Sequence, residues 1–253
     1  MTFDVSPDEI IGLTPRQVSK IKPRDIADLP IDLLSDEALG KLNAKQLSFA
    51  SKESLGFLDR SQIEAFDVRA MRGLDAEQIA SFRSSEIRGI TYHHLLKIKA
   101  SAFSGFSRRQ LRAMSANHYW VMKRSQFSEI STDALTGIKR YHFLELGKKI
   151  ISSLTSDDID QFTPVVTSGM YPSQIKKLQP SAINALTDKH LSRMDWPQIG
   201  AFSGKQLQAI APQAMAGLSP KVLRDLVDYR GELSFTDDQM NSLSDQQLKA
   251  LGA

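Results

Sequence analysis

An apolar residue recurs at every eighth position along most of this chain, and that spacing restricts what it can fold into. The column starts at Ile31 and runs through Leu39, Leu47, Leu55 and Ile63 to Leu223 without a slip, which makes 25 octads. Only Thr167 interrupts it. A second apolar residue follows each first one three positions later, from Leu34 to Leu226, and is weakest at Ala50. Steps of three and then five do not suit a strand, whose faces alternate with period two. They match one face of a short helix followed by a turn. A fixed short period of this kind marks a repeat architecture.

The octads alternate between two types, so the full repeat is sixteen residues, as in DRSQIEAFDVRAMRGL (59–74). In one type, Gln or His precedes the first apolar residue: Gln46, Gln62, Gln78, His94, Gln110, Gln126, His142, Gln174, His190 and Gln206. Asp158 takes that place once. In the other type the place is usually small, as at Ser54, Ala70 and Ala102. That type also carries a small residue before its second apolar position, as at Gly73, Gly89, Gly105, Gly137 and Gly217. Eleven full copies fill residues 43–218.

Most octads open on a helix-start signal. Asn43, Ser51, Asp59, Asp75, Ser107 and Ser203 have short side-chain oxygens that can accept a backbone N–H from a first helical turn. Gln three residues later, as in Asp59 to Gln62, is capping-box spacing. Helices this short cannot stand alone, because nucleation is costly and few bonds offset it. The expected fold is therefore all-α: an α-solenoid of short helix pairs with sixteen residues per coil, stacked so that each coil covers the next. The small column lets neighbouring helix rows approach closely. A β-solenoid of sixteen residues per coil is the rival, opposed by the caps and by the lack of alternation.

Three segments follow from the register. Residues 1–30 repeat the motif out of phase, since Ile26 to Ile31 is a step of five, and read as N-terminal capping units. Residues 31–226 form one continuous body. The register slips by one near Val227, and residues 227–253 read as C-terminal capping units around Met240/Leu243 and Leu248/Leu251. Terminal repeats of a solenoid must cover an open core and are atypical for that reason.

Charge is unevenly spread. Residues 1–82 carry a net −4, residues 83–149 a net +9 and residues 150–253 a net −2. The middle segment holds the candidate binding residues for an anionic partner: Arg83, Arg88, Lys97, Arg108, Arg109, Arg112, Lys123, Arg124, Lys139 and Arg140. Such a run can track phosphates with salt-dependent affinity or meet an acidic protein. Aromatics interleaved with it can stack on bases, but Tyr119 and others fall in core columns. The structural reading is a solvated face without a partner.

Residues that carry chemistry have bland readings here. There is no phosphate loop, dinucleotide fingerprint, HExxH or GxSxG. His94, His142 and His190 stand 48 residues apart in the Gln column, which suits a substitute for Gln at a helix start better than a shared metal. Asp157-Asp158 and Asp237-Asp238 follow cap residues, where carboxylates favour a helix N-terminus. The Gln column would be a ridge of amides able to hold a peptide, unless each amide is used by its own capping box. Trp120 and Trp196 are expected to be partly buried. No catalytic, cofactor-binding or metal-ligating residue is assigned, no cysteine is present, and no cofactor is expected. No run of eighteen apolar residues suggests a membrane span, and the opening MTFDVSPDEI lacks the pattern of a classical signal peptide.

The alternating pattern in SGKQLQAIAPQAMAGL (203–218) and DAEQIASFRSSEIRGI (75–90) resembles tandem sixteen-residue segments of large bacterial surface or secreted proteins. LTPRQVSKIKPRDIADL (13–29) is more loosely similar to the superhelical repeats of the mesothelin family, which have cysteines and less regular spacing. The resemblance concerns architecture and brings no catalytic residue. It implies a bacterial protein, cytoplasmic or exported without a classical signal peptide. The expected function is a non-enzymatic, monomeric repeat scaffold that binds a macromolecule, a protein first and a nucleic acid second. A structural spacer is the third reading.

Overall fold

A computed structural model describes residues 6–231, 233 and 235–252. All regular structure among the described residues is helical, most of it in pieces of one to two turns. No strand occurs among them, so the β-solenoid rival falls away and the all-α solenoid stands.

Each octad is a cap, a short helix and a link. Asp59 shows the cap: its carboxylate accepts the Gln62 N–H at 2.9 Å, and the Gln62 side-chain oxygen accepts the Asp59 N–H at 3.0 Å. The link is made of two extended residues, the second apolar one and the next cap, such as Leu58 (ψ 138°) and Asp59 (ψ 177°). Among the described residues only Gly231 and Gly252 have positive φ, so the repeat turns without left-handed residues. That is why its links accept any side chain of the right polarity.

The packing partners differ from the expected ones. Helix Ala76–Ser81 lies on the 3-10 helix Ala100–Gly105, Ala44–Leu47 on Ala70–Gly73, and Arg60–Ala65 on Ile87–Gly89. Further along the chain, Asp188–Leu191 lies on Pro212–Gly217. Each pair is three octads apart. Side-chain bonds reach back four octads: the Gln110 amide donates to Ile79 O and Phe82 O, 31 and 28 residues away. One turn of the solenoid thus takes between three and four octads, in place of the sixteen-residue coil. Two neighbouring helices form an antiparallel hairpin only if the loop between them reverses the chain. The two extended link residues turn it part-way, and several links are needed before it returns.

Contacts three octads apart always join unlike octads, which accounts for the sixteen-residue alternation. A Cβ on Gly105 would lie 1.9 Å from Ala76 O, and one on Gly73 2.0 Å from Ala44 O. Ala44 and Ala76 open Gln-type helices, so the small column seats the start of the helix three octads back. The apolar columns form the core: Leu47, Ile63, Ile79, Leu95 and Leu111 are wholly buried. Removing such side chains from water contributes about 1.5–3 kcal/mol each. Tyr119 replaces a smaller residue in this column, and its hydroxyl donates to Leu111 O at 2.7 Å.

Contacts divide the chain into two compact units, Met1–Gly137 and Ile138–Ala253. The division falls inside the in-register run, at a place nothing in the apolar columns marks. In the first unit, the out-of-phase units bury Ile10, Val18, Ile26 and Leu29. They also supply Val18 O and Ile21 O to the Gln46 amide. In the second unit, Pro220–Arg230 is an eleven-residue helix that packs on Trp196–Ile199 and Asp245–Leu251. Past the slip, Gln239 and Gln247 reach back 29 and 32 residues, where inner glutamines such as Gln206 reach 28 and 31. No helix among the described residues is long and apolar enough to cross a membrane.

Candidate functional site

The Gln column is closed to partners. Gln46, Gln78, Gln110, Gln126, Gln174 and Gln206 are buried. In Gln78 the oxygen accepts the Asp75 N–H at 3.1 Å while the nitrogen donates to Leu47 O and Ala50 O. The capping box therefore takes only half of each amide, and the other half ties the octad to one four octads back. No ridge of free amides exists at these positions. His118 and Gln198, in octads of the small type, make the same cross-links to Ile90 O and to Ser168 O and Met170 O. The alternation of types hides both from a reading of the Gln column alone.

His94, His118 and His190 are cross-links of the same kind. His94 Nδ1 accepts the Thr91 N–H at 3.2 Å, and its Nε2 donates to Phe66 O at 2.9 Å, which fixes the neutral Nε2–H tautomer. Burial holds the His94 imidazole below its ordinary value, opposed by the Phe66 and Gly89 backbone and by Glu64 and Asp67. Burial likewise lowers His118, opposed by the Ile90 and Ser115 backbone, and the nearby Arg88 adds to the lowering. Asp158 of the acidic pair is structural too: its carboxylate accepts the Thr155 N–H at 2.9 Å. Among the described residues no group of three or more ligating side chains could hold a metal.

The basic residues separate into four sets. Arg83 and Arg88 hold the fold together: Arg83 donates to Phe57 O and Leu58 O, and Arg88 to Ala113 O at 2.8 Å. Arg83 replaces the missing amide of its octad, where Glu86 stands in the Gln position. Arg108, Arg109, Arg112 and Arg124 are exposed, and their side chains make no hydrogen bond or ion pair among the described residues. Lys139 and Arg140 belong to the second unit. The Lys139 ammonium lies 5.7 Å from the Tyr141 ring centroid, and the Arg140 stem packs over Gly169.

The remaining two, Lys97 and Lys123, line a groove of about 360 Å³ in the first unit, together with Arg72 and Lys99. Leu96 and Ile98 give it an apolar floor, and no carboxylate lines it. Lys123 donates to Leu96 O at 3.1 Å, which holds its ammonium over the groove. The one ion pair among the described residues is Lys52–Glu77, so these four cations have no internal counter-ion. Arg72 comes from the acidic first third of the sequence. Its octad lies three and four octads before those of Lys97 and Lys99, and the packing offset places it there. Trp120 is 68% exposed, in contrast to the expected partial burial, while Trp196 is half-buried as expected.

Fold and groove together define a short-helix α-solenoid with a cationic surface groove. No protein-family model matches the chain, and no curated protein matches it.

Proposed function

We propose that this chain is a non-catalytic binding scaffold whose first unit receives an acidic protein surface in the groove of Arg72, Lys97, Lys99 and Lys123. The observation that carries this reading is the gathering of four cations without a counter-ion around an apolar floor. Charges around a buried apolar contact are the arrangement of a protein interface, with a hydrophobic centre and a polar rim. Three of the four cations are lysines. Lysine presents a compact point charge on a flexible stem, which can meet a carboxylate without fixed bidentate geometry. His94, His118, His190 and Asp158, side chains of the kind that serve reactions, are used within the fold, which supports a scaffold over an enzyme.

The test is titration of the full chain with polyglutamate at low and physiological salt, followed by calorimetry. Binding is expected to weaken with salt and to be lost in Lys97→Glu/Lys99→Glu. Equal binding by that variant contradicts the reading.

A second reading is single-stranded nucleic acid. The exposed Trp120 and Tyr92 within the basic run favour it, since bases stack on free aromatic faces. It predicts that oligonucleotides bind and that Trp120→Ala weakens them. Oligonucleotide affinity unchanged by Trp120→Ala counts against it.

A further inference from the structure

The first unit carries a second groove, of about 390 Å³, lined by Asp28, Asp32, Glu53, Ser54 and Phe57 and by no basic residue. Asp32 is partly engaged, because it accepts the Ser54 hydroxyl at 2.5 Å. Asp28 and Glu53 are exposed and make no ion pair among the described residues. Phe57 stands among them 61% exposed, a large apolar side chain with an acidic surround. The basic groove has the converse build, with cations around the apolar floor of Leu96 and Ile98. Different octads of one unit form the two grooves, and they are similar in size and opposite in charge.

We propose that the acidic surface received by the basic groove is the Asp28/Glu53/Phe57 groove of a second copy of this chain, so that copies join head to tail. The inference rests on the function proposed above and names its partner, in place of the monomer expected from the sequence. A two-fold contact centred on either groove would set it against its own like charge, so the pairing joins unlike grooves of two copies. A heterologous contact satisfies both grooves: Phe57 meets the floor formed by Leu96 and Ile98, with Asp28 and Glu53 facing Lys97 and Lys99. Contacts of this type leave one groove of each kind open at the ends, so assembly continues with concentration unless the rotation closes a ring. Facing charges separated by solvent are screened within about 8 Å at physiological ionic strength, so assembly is stronger at low salt.

Sedimentation velocity of the full chain over a concentration series, at low and physiological salt, tests this. The expected result is a sedimentation coefficient that rises with concentration and falls with salt. Lys97→Glu/Lys99→Glu and Asp28→Asn/Glu53→Gln should each be monomeric. Mixed together, they should form a one-to-one dimer and nothing larger, because each retains one intact groove. The dimer also shows that both variants are folded. Wild-type chain that stays monomeric throughout, or single variants that assemble like wild type, overturns the inference. If a monomeric wild type still binds polyglutamate, the scaffold reading survives and only the second copy as partner is lost.

Discussion

Gln78 and Ala50 are 28 residues apart and joined by a hydrogen bond of 2.8 Å from the Gln78 amide nitrogen to the Ala50 carbonyl. The same nitrogen donates to Leu47 O at 3.0 Å, while the amide oxygen accepts the Asp75 N–H. One side chain therefore starts its own helix and closes the end of an octad four places back.

Gln78→Leu keeps the volume and removes all three bonds. It leaves the Ala50 carbonyl and the Asp75 N–H without this partner, at a cost of roughly 1–3 kcal/mol for each buried group unpaired. Gln78→His should cost distinctly less, because His94 and His118 already make the same pair of bonds at this kind of position. Urea unfolding of the two variants checks the order.

Gly105→Ala should be severe and Gly204→Ala mild. The first places a Cβ 1.9 Å from Ala76 O, and overpacking against backbone costs typically about 1–3 kcal/mol or more. The second meets nothing within 4 Å at the start of the helix Gly204–Gln208. There, alanine's better helix propensity contributes up to about 1 kcal/mol of stability. Thermal melting of both variants measures the contrast.

Acid should weaken the fold through His94 and His118. Burial lowers both folded-state values below the unfolded one, so the unfolded chain binds more protons once pH falls below about 6.5. Stability from this source is fully present above that pH and is lost as pH falls toward the folded values. A proton on Nδ1 of His94 would also face the Thr91 N–H that it now accepts. His94→Gln/His118→Gln should remove this part of the acid sensitivity. Urea midpoints at pH 7.5 and 5.5 should converge in the variant relative to the wild type.

Much of this fold is legible in the sequence, because the octad register and the capping boxes are local. The Asp59–Gln62 box and the burial of the column from Ile31 to Leu223 follow from spacing alone. The neighbour of each octad does not. Alternation of types shows that unlike octads touch, and offsets of one or three octads satisfy that equally. The choice of three is made by the extended link residues, such as Leu58 and Asp59. The groove was half legible: Lys97 and Lys123 stand in the basic run, whereas Arg72 joins them only through the three-and-four-octad offset. Arg83 and Arg88 carry the same charge as the groove residues, and only their geometry reveals carbonyl partners.

The most direct test of the packing is an NMR measurement on the Gln110 side-chain amide. With nitrogen-labelled glutamine, its amide protons should show Overhauser contacts to Ile79 and Phe82, whose carbonyls it meets at 2.8 Å. Contacts instead to the octad sixteen residues back, around Leu95, would restore the two-helix coil and contradict the three-and-four-octad solenoid.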